Sequence, residues 1–131
     1  MKHDWSKYKV LIVEDDPVNY QLLKVFLNKT GIEIIHASNG SEVMDMFDEE
    51  IPDIVLMDVQ LPEVNGIQLT EMMKSQHPEI PIIVQTASIL ETQIQEMMEK
   101  GCDDYLMKPI SRQDMLYKIG KLINRNNEAE N

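Results

Sequence analysis

Five short apolar runs recur along this chain, with a longer mixed stretch after each, and this alternation restricts the possible folds most. The runs occupy residues 10–13, 32–37, 54–57, 80–84 and 105–107. Most of them lack the alternation of apolar and polar residues that is typical of a strand with one solvent-exposed face. They therefore predict buried parallel strands, whose sheet is covered by helices on both faces.

The stretches between these runs show helical spacing. Apolar residues spaced at i, i+4 and i+7 or i+8 predict one buried stripe on each of four helices. The four stripes are Val18, Leu22, Val25 and Phe26; Val43, Phe47 and Ile51; Leu90, Ile94, Met97 and Met98; and Met115, Ile119, Leu122 and Ile123. A further helix is predicted around residues 67–74.

Boundary residues support these helices. Pro17 suits a first helical turn, and Ser41 and Ser111 are predicted to cap helix starts. Gly31 and Gly101 are predicted to end helices.

Five repeats of strand then helix predict a doubly wound α/β fold with a five-stranded parallel sheet and right-handed crossovers. The 131 residues suffice for one domain. We expect this domain to span residues 9–124, between a flexible lead at 1–8 and a flexible polar tail at 125–131.

The charge balance limits the classes of partner. With 12 basic and 23 acidic residues, the chain has a formal net charge of −11. Because nucleic acids and anionic lipids attract basic surfaces, neither is an expected partner. No apolar run approaches the length of a membrane span. The single Cys102 and the polar start of the chain indicate a reducing, cytoplasmic location.

Polar side chains follow four of the predicted strands, at the edge where open α/β sheets bind ligands. They are Glu14, Asp15 and Asp16 after the first strand, Asp58 after the third, Thr86 after the fourth and Lys108 after the fifth. Carboxylates brought together repel one another unless a cation lies among them. Mg²⁺ prefers such oxygen ligands, whereas the three histidines lack the spacing of a zinc site.

Each of these residues also has a purely structural interpretation. Acidic residues at a helix start complement the helix dipole, and Asp58 could be a turn residue. Thr86 could simply favour a strand, and Lys108 could be a solvated charge. Together they favour phosphoryl chemistry, which needs a nucleophilic carboxylate, a fixed cation and a hydroxyl donor.

Over residues 9–124 the chain resembles the receiver domain of bacterial two-component response regulators. The motifs that carry the resemblance are residues 10–17 (VLIVEDDP), 58–62 (DVQLP) followed by Gly66, 86–87 (TA) and 105–109 (YLMKP). The resemblance implies a flavodoxin-like sheet with strand order 2-1-3-4-5 and five helices on its two faces.

The resemblance also implies a site. Asp58 would accept a phosphoryl group from a phosphohistidine on a histidine kinase or histidine phosphotransfer protein. Asp15 would ligate Mg²⁺ directly, Glu14 mainly through water, and the Gln60 backbone carbonyl would complete the protein's ligands, with Asp58 itself as a ligand. Mn²⁺ is expected to substitute for Mg²⁺. The domain would catalyse only its own phosphorylation and dephosphorylation.

Further roles follow from the same resemblance. Lys108 would contact the phosphoryl group, across a cis bond to Pro109, and Thr86 would hydrogen-bond that group. Tyr105 would turn inward and remodel the face of the fourth helix, fifth strand and fifth helix. That face would bind a downstream protein, and phosphorylation could also link two copies into a homodimer.

The sequence departs from the family pattern at few positions. Glu14 replaces a common aspartate, and Asn65 stands where an aspartate often precedes Gly66. Gln60 and Ser88 occupy positions that tune the phosphoryl lifetime in the family.

Three alternatives stay open. The first is a Mg²⁺-dependent phosphatase with an aspartate nucleophile, although Gln60 stands where a second acid would be expected and little length is spare for a cap. The second is a flavodoxin-like binding protein, although no Ser/Thr-rich phosphate loop follows the first strand. The third concerns context, because a receiver can stand alone or belong to a larger regulator or hybrid histidine kinase.

Overall fold

The computed structural model describes residues 3–87 and 90–130, and strands alternate with helices throughout. Its elements are β1 (Lys9–Val13), α1 (Pro17–Leu27), β2 (Glu33–Ala37), α2 (Gly40–Glu49), β3 (Ile54–Asp58), α3 (Gly66–Gln76), β4 (Ile82–Thr86), α4 (Glu91–Glu99), β5 (Asp104–Met107) and α5 (Arg112–Glu130).

The five strands form one parallel sheet in the order β2-β1-β3-β4-β5, which confirms the predicted fold. In register, Val13 pairs with Met57, and Met57 pairs with Val84. Asp58 pairs with Gln85. The carboxyl ends of β1, β3 and β4 therefore lie level at one edge of the sheet.

A hydrophobic core lies on each face of the sheet. Val10, Ile12 and Leu56 point toward α1 and α5, whereas Leu11 and Val55 point toward the opposite face. Successive residues of a strand face opposite sides, so both kinds of residue must be apolar when helices cover both faces. The continuous apolar runs in the sequence have this cause.

The stripe predicted for α1 is largely wrong, since of its four residues only Phe26 packs partly against the core. Val18, Leu22 and Val25 are 78%, 39% and 68% exposed, whereas Leu23 and Leu27 are buried. This helix carries two overlapping apolar stripes at helical spacing, and the two leucines belong to the same hydrophobic core as Trp5. Spacing alone does not tell which stripe faces inward.

The α2 boundary also differs from the prediction. Asn39, not Ser41, is the N-cap, and its side chain accepts a hydrogen bond from the Glu42 N–H at 2.9 Å. Ile51 lies beyond the end of the helix and is exposed. Val43 and Phe47 are buried as predicted.

The stripe on α4 is only partly buried. Met97 is buried and Ile94 packs partly against the core, but Leu90 and Met98 are exposed. Leu90 is the N-cap residue, ahead of the first turn of α4, so the helical spacing does not apply to it. All four predicted residues of the α5 stripe are buried.

Three boundary predictions are confirmed. Pro17 is the first residue of α1, and the Ser111 hydroxyl accepts from the Asp114 N–H at 3.3 Å at the start of α5. Gly101 follows α4 with a φ of 109°, a conformation that glycine adopts at low cost. Gly31, with a φ of 81°, instead lies in the turn before β2, several residues after α1 ends.

Secondary structure or packing is found in part of each predicted end segment. Trp5 is buried, and its N–H donates to the Thr30 carbonyl at 2.7 Å. Helix α5 continues to Glu130, into the segment predicted as a tail. The division into lead, domain and tail stays a prediction. Within residues 3–87 and 90–130, no helix is both long and apolar enough to span a membrane.

Candidate functional site

Three carboxylates meet at the carboxyl edge of the sheet. Glu14 and Asp15 follow β1, and Asp58 ends β3. Each offers an oxygen atom, and these atoms lie within 4.8 Å of one another. Glu14 and Asp58 are 1% and 2% exposed, whereas Asp15 is exposed. The cluster is thus buried on one side and open to solvent on the other.

The electrostatics of Glu14 reflect this crowding. Burial, and after it the neighbouring Asp58, raise the pKa of Glu14 to about 7, although a hydrogen bond from Asn19 opposes the shift. A divalent cation would remove the repulsion. The donor set consists of carboxylate oxygens, which suit a hard ion such as Mg²⁺ better than zinc.

Asp58 is held at a single oxygen by two donors. Its Oδ1 accepts hydrogen bonds from Lys108 Nζ at 3.0 Å and from the Gln60 N–H at 3.0 Å. Lys108 follows β5, and its own N–H donates to the Thr86 carbonyl at 2.8 Å. The Lys108–Pro109 bond is cis. A buried carboxylate therefore has an ammonium group on one side and the other acids close by.

The backbone around Asp58 is tightly packed. A Cβ atom at Gly66 would overlap the backbone carbonyl oxygen of Asp58. Asn65 caps α3 by accepting from the Ile67 N–H at 2.7 Å, and the Gly66 N–H donates to Val59. Glycine at this position lets α3 begin directly against the end of β3.

A cavity of about 330 Å³ opens above Asp58. Its polar lining residues include Asp58, Gln60, Asn65, Gln85, Thr86 and Lys108. A larger groove of about 970 Å³ lies elsewhere, beside the start of α5, with Lys29, Arg112 and Tyr117 in its wall. The smaller cavity is the candidate site, because it joins a buried carboxylate to an ammonium group and a hydroxyl.

Two polar residues of the site were missed in the sequence. Asn19, on α1, donates through Nδ2 to a carboxylate oxygen of Glu14 and to Gln85 Oε1 at 3.2 Å. Gln85 precedes Thr86 in β4 and is fully buried. Two features of the sequence could have indicated them. Gln85 is a polar residue at the end of an apolar run, and Asn19 lies one helical turn after Asp15.

The structure brings most predicted site residues together, but not all. Thr86 is buried at the end of β4 and lines the cavity. Tyr105 lies two residues before the end of β5, half-buried, with Lys118 Nζ 4.9 Å from its ring centroid. Ser88 lies outside the described residues. Tyr105 lies on the outer strand β5, which β4 separates from the strand that carries Asp58.

Comparison with known families identifies one that spans most of the chain. The model of the response regulator receiver domain matches residues 10–120. The polar-differentiation response regulator DivK of Brucella anthropi is 38% identical over 104 residues, which cover 78% of this chain and 85% of that protein.

Solved structures agree with this match. A putative response regulator from Chloroflexus aurantiacus superposes with a TM-score of 0.83 at 30% identity, over 89% of this chain and 98% of that one. The receiver domain of sensor histidine kinase PA1611 from Pseudomonas aeruginosa has a TM-score of 0.81 at 28% identity, over 89% and 98% of the two chains. That structure contains a magnesium ion in its active-site cleft.

Proposed function

This chain belongs to the response regulator receiver domain family of two-component systems, and on that basis we propose that Asp58 accepts a phosphoryl group from a phosphohistidine of a partner protein. One observation carries the proposal. Asp58 is a buried carboxylate between an acidic cluster and Lys108, and it lines a cavity open to a donor. A carboxylate in this setting is a nucleophile toward phosphorus.

The transfer is a single displacement. An oxygen of Asp58 bonds to phosphorus while the phosphorus–nitrogen bond of the phosphohistidine breaks, and the electron pair returns to the imidazole. The Lys108 ammonium then neutralises charge on the phosphoryl oxygens, and the Thr86 hydroxyl donates to one of them. Such reactions depend mainly on positioning and charge neutralisation, which these fixed groups provide.

The acidic cluster is the proposed metal site. Glu14, Asp15 and Asp58, with the Gln60 backbone carbonyl, would bind Mg²⁺, which supplies the positive charge that lets a phosphoryl group approach these acids. Mn²⁺ takes similar oxygen ligands and would substitute for it. The magnesium ion in the Pseudomonas aeruginosa receiver domain supports this assignment.

Phosphorylation would then shift the population between two packings of β4, β5 and their neighbouring helices. It adds a charge of about −2 beside Thr86. Thr86 pairs in register with Met107, and Val84 pairs with Tyr105, so a movement of Thr86 acts directly on the strand that carries Tyr105. Lys118 of α5 donates to the Tyr105 carbonyl at 2.6 Å, which extends the connection to α5.

We propose proteins as partners at both steps. The donor would be a histidine kinase or a histidine phosphotransfer protein. The output would be a contact with a downstream protein, or a second copy of the chain, at the face of α4, β5 and α5. Leu90 at the N-cap of α4 and Met98 near the end of that helix are exposed apolar side chains, which fit a protein contact.

Stoichiometric labelling tests the proposal. The protein is incubated with Mg²⁺ and acetyl phosphate, and its intact mass is measured; we expect one acid-labile phosphoryl group. Asp58→Asn should remain unlabelled, while the exposed Asp45→Asn on α2 serves as the matched control and should be labelled like the wild type. Equal labelling of Asp58→Asn would refute the assignment, and sustained turnover of phosphate esters would instead favour a phosphatase.

A further inference from the structure

A chain of side-chain hydrogen bonds connects β4 to the acidic cluster through α1. Asn19 donates from Nδ2 to Glu14, and from the same nitrogen to Gln85 Oε1. The ionised Glu14 carboxylate can only accept, so it fixes the amide group of Asn19 with its nitrogen toward Glu14. That nitrogen in turn fixes Gln85 with its oxygen toward Asn19.

The position of Gln85 is unusual for an amide. It lies beside Asp58 in the register of the sheet and lines the same cavity, yet its side chain is fully buried. Among residues 3–87 and 90–130, its Nε2 has no hydrogen-bond partner. Buried donors without partners are rare, because each loses its water without compensation. An apolar residue would therefore suit this position better if stability were its only role.

We propose that Asn19 and Gln85 are positioning residues, which hold the Glu14 carboxylate in the orientation that binds Mg²⁺. Glu14 is buried and close to Asp58, so repulsion would otherwise turn its carboxylate away from the cluster. Asn19 opposes that rotation, and Gln85 anchors Asn19 to β4. This inference rests on the proposed function of the acidic cluster as a Mg²⁺ site.

The chemistry of metal ligands supports the proposal. Hydrogen bonds from neighbouring groups orient ligating side chains, and their loss typically lowers metal affinity about 10- to 100-fold. Gln85 acts on Glu14 only through Asn19, so the two residues should behave as one unit. Residues that act in one network show such non-additive effects.

The test is a Mg²⁺ titration followed by amide chemical shifts, for the wild type, Asn19→Ala, Gln85→Met and the double variant. We expect each single variant to bind Mg²⁺ about tenfold or more weakly. The double variant should bind no more weakly than Asn19→Ala. Methionine fills nearly the volume of glutamine and has no buried donor, so metal-free Gln85→Met should be at least as stable as the wild type in urea.

Thr30→Val is the matched control for loss of a buried polar group. Thr30 is buried beyond the opposite end of α1, where its hydroxyl donates to the Leu27 carbonyl at 2.7 Å. This variant should lose stability and keep its Mg²⁺ affinity.

Three outcomes would overturn the inference. They are unchanged affinity in Asn19→Ala, unchanged affinity in Gln85→Met whatever its stability, or additive losses in the double variant. Failure of the wild type to bind Mg²⁺ would instead refute the proposed cation site, so the two failures can be distinguished.

Discussion

The ammonium nitrogen of Lys108 lies 3.0 Å from Asp58 Oδ1, although the two residues are 50 positions apart in the chain. Strand β4 lies between their strands, and the Lys108 N–H donates to the carbonyl of Thr86 on that strand. The Lys108 side chain is 26% exposed and that of Asp58 is 3% exposed. Lys108 thus brings positive charge to a buried acid while its own head group stays partly hydrated.

Replacing Lys108 with methionine keeps most of the alkyl chain and removes the charge. We expect the metal-free protein to lose about 1–3 kcal/mol of unfolding free energy, because a charged hydrogen bond is lost and Asp58 is left buried. Labelling by acetyl phosphate should slow on the order of 100-fold. Urea denaturation and intact mass measure the two effects. Lys121→Met, exposed on α5, is the control, and equal losses in both variants would contradict the assigned role.

The pKa of Glu14 predicts how metal-free stability depends on pH. Burial, then Asp58, raises this pKa to about 7 from its ordinary value of 4.5. Between these values the folded state keeps a proton that the unfolded chain has released. The resulting stabilisation is complete below about 4.5 and is lost as the pH rises through about 7. In Glu14→Gln the side chain does not titrate, so this decrease in stability with rising pH should be absent.

At pH 8, without metal, Glu14→Gln should therefore be more stable than the wild type by on the order of 1–3 kcal/mol. At pH 4 the two should be similar. Added Mg²⁺ should stabilise the wild type more than the variant, since the carboxylate is a proposed ligand. Urea denaturation at several pH values measures these differences, and parallel pH curves would count against a raised Glu14 pKa.

The sequence was sufficient to predict the sheet because both of its faces are covered, which leaves mostly apolar runs at its strands, although Glu33 and His36 interrupt the run of the edge strand β2. It was less informative for α1, where Leu22 and Leu23 belong to two competing stripes. The buried leucine belongs to the same core as Trp5, Ile32 and several residues of α5, which are distant from α1 in sequence or separated from it by a turn. Helical spacing contains no information about such contacts.

Leu22 and Leu23 offer a matched test of the orientation of α1. Leu23→Ala removes a fully buried side chain and should cost about 2–5 kcal/mol of unfolding free energy. Leu22→Ala makes the same chemical change at a side chain that is 39% exposed, and should cost less than about 1 kcal/mol. Urea denaturation of both variants gives the comparison. A larger loss of unfolding free energy in Leu22→Ala than in Leu23→Ala would support the buried stripe that was predicted from spacing.

The candidate site, like the fold, could be predicted from the sequence only in part. Strand ends meet at one edge of a parallel sheet, so polar residues after each apolar run could be grouped from the sequence, and these include Asp58 and Lys108. The different burial of the adjacent Glu14 and Asp15 depends on how the chain turns into α1. The contact between Asn19 and Gln85 joins residues 66 positions apart, so no local pattern predicts it.

Thr86 provides a test of the proposed coupling between the site and its output face. In Thr86→Ala the Asp58 carboxylate and Lys108 remain, so we expect the phosphoryl group still to be attached, at a rate reduced by loss of one donor. On phosphorylation, the amide chemical shifts of Tyr105 and Lys118 should change less than in the wild type. The reason is that the variant lacks the Thr86 hydroxyl, which would otherwise move toward the phosphoryl group and hydrogen-bond it. Two-dimensional NMR during labelling measures both. Thr92→Ala, exposed on α4, is the control, and full shifts in Thr86→Ala would exclude coupling through Thr86.

Gly66→Ala tests how closely α3 must approach the phosphoacceptor strand. The added methyl group would overlap the Asp58 carbonyl oxygen, so either β3 or the start of α3 must shift. We expect a loss of about 1–3 kcal/mol of unfolding free energy, as for other overpacked sites, together with slower labelling of Asp58. Gly120→Ala is the control. A Cβ atom there would be 3.4 Å from the Trp5 ring, an ordinary van der Waals contact, and alanine has a higher helix propensity than glycine within α5. It should leave labelling unchanged and stability equal or higher. Labelling and stability of Gly66→Ala equal to those of the wild type would show that this close approach is not required.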